Sequence, residues 1–379
     1  MPNNKNQMNG LALKIKQIEI YKLKIPLKEP FVISLGVIEN AENVIVLIRT
    51  NYGISGFGEC SPYMTINGES VDTCFVVGQY LARLLKGKDP LEIEDCASAM
   101  DRLIYGNSSI KSAFDMALFD IAAQHAGQPL YKFLGGNNNK VLSTDMTISI
   151  GEPDKMAADA IKFKEAGFPA IKVKLGESKD MDVKRIRKIR KAIGNDLPLR
   201  IDANQGWSVK TAIEILNALE KYNIQHCEEP IARWNFLRLR KVRKKSPIPV
   251  MADESCCDHH DARRLIELKA CDLLNVKLGK SAGLLNARKI IDIAEKSKIK
   301  MQVGAFMESR LGITAAAHLA LCSKNIIYCD FDTPLMFTAD PISGGINYRD
   351  KGIVEVPETP GLGASIDDMI LERLEKVFI

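Results

Sequence analysis

No segment of the 379-residue chain approaches the ~18 consecutive apolar residues that span a bilayer, and residues 1–10 are polar and Asn-rich, without a secretory apolar core. A cytoplasmic protein with no membrane partner is expected. The Cys-x-x-Cys pattern is missing as well. Nine cysteines, an odd number, sit mostly among apolar neighbours, which argues against a disulfide or zinc framework and for a reducing compartment. An excess of one charge is also lacking: 52 Lys and Arg face 47 Asp and Glu, for a net charge of +5. The densest basic runs are residues 184–191 and 238–245. The first alternates with Val183, Ile186 and Ile189 at helical spacing, as the solvated face of a helix does. Nucleic acid is therefore not expected as a partner.

What is present is a globular composition, 46% hydrophobic and 26% charged, which excludes disorder as the main state. The length exceeds one modest core, so two domains or a large barrel with an appendage are expected, the second being preferred. Residues 1–12 read as a disordered leader. Apolar alternation between 15 and 49, interrupted at Pro26, Pro30 and Gly36, predicts antiparallel strands; helical spacing follows over 72–85 and 109–125. Strands followed by helices suggest an α+β domain of about 130 residues.

After Gly135-Gly136 the rhythm changes. Short apolar segments at 145–149, 170–174, 199–202, 225–228, 249–253, 273–277, 300–304 and 326–330 each precede a helical stretch or the end of the series. Their ends at 174, 202, 228, 253, 277, 304 and 330 lie 24 to 28 residues apart. Eight such units point to a closed parallel barrel. An open doubly wound sheet is the alternative, but no Gly-rich phosphate loop follows the first strand.

Chemistry in such a barrel gathers at the carboxyl ends of its strands, and those ends are ionisable. Lys172 and Lys174 share one face of the second strand, Asp202, Glu228 and Asp253 end the next three, Lys277 ends the sixth, and Asp330 and Asp332 share a face at the eighth. Three carboxylates on consecutive strands, without Cys or His, suit Mg²⁺, with water and substrate completing its shell. The alternative is that they only neutralise the lysines. Lys174 and Lys277, four strands apart around the ring, approach the mouth from opposite sides. A substrate carbon between them would meet a base on each face, provided that desolvation and the cationic company of Lys172 and the nearby metal lower the lysine pKa.

These residues resemble the dipeptide epimerases of the muconate-lactonising subgroup of the enolase superfamily. The resemblance runs through Ala113-Phe-Asp115-Met-Ala-Leu118 with Asp120, Gly127-Gln-Pro129-Leu130-Tyr131, Leu134-Gly135-Gly136, Lys172-Val-Lys174, Asp202-Ala-Asn204, Glu228-Glu-Pro230, Asp253-Glu254-Ser255, Asn275-Val-Lys277, Glu308-Ser309 and Gly312 to His318. It implies an α/β fold, a modified TIM barrel (β/α)7β at 137–350 with an N-terminal α+β capping domain at 13–136 and a segment at 351–379 returning to that domain. It further implies Mg²⁺ held by Asp202, Glu228 and Asp253, and 1,1-proton transfer between Lys174 and Lys277 through an enediolate. Asp330 and Asp332 would clamp a substrate ammonium, Lys172 and Thr147 would touch the substrate, and Phe306 and Met307, with the loops 28–38 and 61–67, would wall the second side chain. Asn204, Glu254 and Glu308 would support these groups from behind.

L-Ala-D/L-Glu from murein peptides is the leading substrate on that resemblance, with apolar or cationic dipeptides, N-acylamino-acid racemisation and cycloisomerisation as alternatives. A homo-oligomer is expected. In members that act on Ala-Glu an Arg of the capping loop commonly meets the Glu side chain; Gly36 stands at the matching place, leaving Lys24 or Lys28 to supply a cation.

Overall fold

The computed structural model describes residues 12–379; the expected leader lies outside the described residues but for Ala12. Strands β1 (Ile15–Ile33) and β2 (Gly36–Thr50) form a long hairpin, extended by β3 (Ser55–Cys60) on one side and by Lys376–Phe378 on the other. The expected break at Pro26 and Pro30 does not occur. The ladder instead shifts register between Pro26 and Phe31, so the missing proline N–H groups fall where pairing is already interrupted. Neither β3 nor the helix α2 (Ile93–Leu103) is foreshadowed by the sequence pattern. In β3, Gly56 and Gly58 look like turn residues, yet their role is proximity: a Cβ at Gly58 would lie 1.9 Å from the Ala113 carbonyl oxygen.

That oxygen belongs to α3 (Ser108–His125), whose residues 109–123 are all buried. The helix lies between the antiparallel sheet and the rest of the chain, and its two carboxylates face opposite neighbours. Asp115 accepts from the Leu284 N–H at 2.5 Å, at the start of the helix Leu284–Lys296. Asp120 accepts from Phe57 N at 3.0 Å and Leu362 N at 2.7 Å. α1 (Val71–Leu85) covers the same sheet, started by a capping box between Ser70 and Thr73.

Eight parallel strands follow in sequence order: Met146–Ile148, Ile171–Lys174, Leu199–Asp202, Ile224–Glu228, Val250–Ala252, Leu273–Val276, Lys300–Val303 and Ile326–Cys329. A parallel bridge between Thr144 and Cys329 joins the last to the first, and Phe331 N donates to Thr144 Oγ1 at 2.8 Å. Each interval between strands carries a helix. The run 184–191 lies on Lys179–Ile193, which buries Ile186, Ile189 and Ile193 and is capped by Ser178 and Gly194. No helix of the described residues is long and apolar enough to cross a membrane, and the nine cysteines are free thiols.

His318, on the helix Arg310–Ala320, ties the two halves together. Its Nδ1 accepts from Tyr131 N at 3.1 Å and its Nε2 donates to the Leu362 carbonyl at 3.0 Å, so the ring is neutral with its proton on Nε2. Burial pushes its pKa from 6.5 down to about 4. The unfolded chain therefore binds a proton that the folded chain refuses between those values. The contribution of His318 to stability is full above pH 6.5 and is lost, to the extent of about 3 kcal/mol, as pH drops to 4. In urea melts at pH 7 and pH 4.5, His318→Gln is expected to remove most of that slope; a variant as pH-sensitive as the parent would refute the assignment.

Candidate active site

Parallel register sets the strand ends side by side: Lys174 pairs with Asp202 and Asp202 with Glu228. Lys172 Nζ lies 3.2 Å from Asp202, 2.9 Å from Glu228 and 2.8 Å from Asp330, entirely buried. Lys174 Nζ lies 2.7 Å from Asp202 Oδ2 and 3.1 Å from Asn204 Oδ1. On the far side of the ring Lys277 Nζ lies 2.8 Å from Asp253 Oδ2. Asp253 follows its strand, and Lys277 opens the short helix Leu278–Ser281. Asp330 and Asp332 face one cavity, but not through strand alternation: the strand ends at Cys329 and Asp332 has a helical backbone, φ −87° and ψ −9°. Asp332 Oδ2 accepts from Thr147 N at 2.6 Å.

The cavity above these groups opens to solvent and brings together Thr147, Lys174, Asn204, Lys277, Phe306, Met307, Asp330 and Asp332. Of the other expected residues, Lys172, Asp202, Glu228 and Asp253 lie beneath its floor. Glu254 accepts from Asn204 Nδ2 at 3.3 Å. Glu308 accepts from Phe306 N at 2.6 Å and so shapes the wall without facing the cavity. Each cavity lysine is backed by a ring: Lys174 Nζ is 5.9 Å from Phe31, and Lys277 Nζ is 4.9 Å from Phe306, itself stacked on Tyr63.

The roof is the tip of the β1–β2 hairpin, with Phe31, Ile33 and Ile38 lining the cavity. It is fastened to the barrel through Val32 N to Ser149 Oγ at 2.6 Å and through Ser34 Oγ, which donates to the Ala203 and Asn204 carbonyls at 2.9 and 2.7 Å. A wider mouth continues past Ile38 between Gly36, Glu39, Glu42, Met64 and Glu69, and none of its lining residues is Lys or Arg. Lys24 pairs instead with Glu42 at 3.1 Å, well exposed, and Lys28 donates to the Leu335 carbonyl at 2.9 Å. Neither lines the cavity.

Three supports were missed in the sequence: Asn275 Nδ2 donates to Glu228 Oε1 at 2.8 Å, Gln302 Nε2 to Glu228 Oε2 at 3.2 Å, and Lys280 Nζ to Asp253 Oδ1 at 2.5 Å. Asn275 lies two positions before Lys277, so alternation along the strand could have placed it on the inner face.

Without a metal ion, and against the cost of burial, Asp253 and Glu228 hold Lys277 above its ordinary value, and the lowering influence of Lys172 alone does not reverse this. The reason is an excess of buried anion. Burial and then Asp202 push Glu228 up to about 7, and burial with Asp330 and Asp145 raises Asp332 well above the usual range. Among the described residues no three Asp, Glu, His or Cys side chains already converge on one ion-sized point: Asp202 and Glu228 converge on the Lys172 ammonium, and Asp253 faces Lys277 and Lys280. The donors nonetheless fit a hard divalent cation, being three oxygen groups on adjacent strands, one of them raised toward neutrality by burial and by Asp202.

Residues 15–135 match the family described as mandelate racemase / muconate lactonizing enzyme, N-terminal domain, and residues 155–370 match the enolase C-terminal domain-like family. The chain belongs to the enolase superfamily. Within that superfamily it is 60% identical over 365 residues to the D-Ala-D/L-Ala epimerase of Cytophaga hutchinsonii, covering 96% of this chain and 99% of that one. It is 40% identical over 352 residues to the L-Ala-D/L-Glu epimerase of Clostridium acetobutylicum, covering 92% and 98%. The crystal structure of the Cytophaga hutchinsonii dipeptide epimerase, complexed with Mg and D-Ala-L-Val, superposes with a TM-score of 0.96 at 60% identity, over 97% of this chain and 100% of that one.

Proposed function

We propose that the chain is a Mg²⁺-dependent dipeptide epimerase that inverts the α-carbon of the second residue, and that this residue is small or apolar. The carrying observation is one cavity lined by two lysines from opposite sides of the barrel, with a carboxylate pair at one edge. Asp330 and Asp332 crowd each other in that cavity, so an ammonium with three donors relieves both. Lys174 removes the α-proton from one face while the Lys277 ammonium delivers one to the other, and the roles exchange for the opposite epimer. Lys172, bonded to Asp330, Asp202 and Glu228, fixes the floor on which the substrate carboxylate rests. Asp202, Glu228 and Asp253 would hold Mg²⁺, which supplies positive charge beside that carboxylate as its oxygens take up the electron pair.

The apolar roof and the mouth free of Lys and Arg support Ala-Ala and Ala-Val over Ala-Glu as substrates. Residues 13–136, 137–350 and 351–379 form the capping domain, barrel and returning segment on this reading, supported by the pairing of Lys376–Phe378 with β1. The test is a dipeptide library with enzyme and Mg²⁺ in D₂O, read by mass spectrometry. One deuteron is expected at the second α-carbon, greatest for Ala-Ala and Ala-Val and abolished by EDTA. If only N-acylamino acids exchange, the dipeptide assignment fails.

A further inference from the structure

Lys280 is 4% exposed and lies outside the lining of the cavity and its mouth, yet it is fully engaged. Its ammonium donates to Asp253 Oδ1 at 2.5 Å, to the Asp253 carbonyl and to the Asn275 carbonyl at 3.0 Å, which uses the three donors an ammonium has. The Asp253 carboxylate is thus held at one oxygen by Lys280, while its other oxygen faces Lys277 Nζ at 2.8 Å. The two lysines also share a backbone anchor. Lys280 N and Ser281 N both donate to the Lys277 carbonyl at 3.1 Å, and Gly279 between them packs beneath Phe306, where a Cβ would sit 3.2 Å from the ring.

We propose that Lys280 is a positioning residue for Lys277, acting through Asp253: by pinning one carboxylate oxygen and its backbone, it fixes where the other oxygen aims the Lys277 ammonium. The arrangement is one-sided. Lys174 is oriented by Asp202 Oδ2 and Asn204 Oδ1, and Lys280 touches neither. Removing Lys280 therefore disturbs one face of the substrate carbon more than the other. The inference rests on the two-base epimerase reading, because only then does each lysine own a face.

The experiment uses the full-length chain with Mg²⁺ and the two Ala-Ala epimers that differ at the second α-carbon, each incubated in D₂O. In Lys280→Met, exchange from the epimer served by Lys277, identified with Lys277→Ala, is expected to fall by about 10–100-fold relative to the other. Lys280→Arg should recover part of the ratio, and it carries the test alone if circular dichroism finds the Met variant unfolded. An equal loss for both epimers, or an unchanged ratio, overturns the proposal. Competitive acetylation with acetic anhydride, without substrate, provides a readout independent of activity. The labelling of Lys277 relative to Lys174 should change in Lys280→Met, and an unchanged ratio overturns the positioning role even if no dipeptide exchanges with the parent enzyme.

Discussion

Lys277→Ala and Lys174→Ala are each expected to abolish epimerisation while sparing α-proton exchange in one epimer, and the spared epimer should differ between the two variants. The argument is geometric. Lys174 ends the second of eight strands, Lys277 directly follows the sixth, and both line the same cavity, so a carbon between them presents its proton to only one at a time. Removing a positioned general base costs about 10²–10⁴-fold, and that cost falls on the face the missing lysine served. The remaining lysine still removes the proton it faces and returns a deuteron from D₂O with retention. Inversion needs both groups. Separate D₂O incubations of each epimer, resolved by chiral chromatography, read the two faces independently. If either variant inverts its substrate at the parental rate, or if both spare the same epimer, the two-base assignment is wrong.

The barrel was legible in the sequence because its period comes from a repeated physical unit: a buried strand is short and continuously apolar, and its crossover helix is long and amphipathic. All eight expected segments overlap observed strands, with ends that differ by at most one residue. The charged cluster at its mouth was legible because charged residues at strand ends are costly to bury without a purpose. The roof was harder to read. Prolines at 26 and 30 normally end a strand, and only the register shift opposite them shows why β1 continues. In β3 the two glycines serve the close approach of α3, a tertiary cause that leaves no local periodicity. Lys280 escaped for a related reason: three positions beyond Lys277, it reaches Asp253 because the chain turns into a short helix there, which strand alternation does not anticipate. Asp330 and Asp332 were placed together on a strand argument, whereas a helical turn after Cys329 is what brings them to the cavity.

Ala-Val is expected to exceed Ala-Glu in kcat/KM by about 100-fold, since leaving a carboxylate without a partner in such a site costs about 3 kcal/mol. The side chain of the second residue would meet Phe31, Ile33, Ile38 and Met336, and beyond them a mouth whose charged lining residues, Glu39, Glu42 and Glu69, carry the same sign as the substrate. Lys24 pairs with Glu42 and Lys28 caps Leu335, and neither lines the cavity or its mouth. Gly36 is a poor place to restore a cation, because its φ of +142° disfavours any other residue. Ile38 is the better position: it lies on β2, half-buried, and borders both the cavity and the mouth. Ile38→Arg should raise kcat/KM for Ala-Glu and lower it for Ala-Val, narrowing the preference by about tenfold through one charge-assisted pair. The measurement is a competition between the two dipeptides in one D₂O reaction, so that a general loss of activity cancels from the ratio. If the parent enzyme already favours Ala-Glu, the cation must be supplied by a rearranged roof, and the apolar reading of the second-residue site falls.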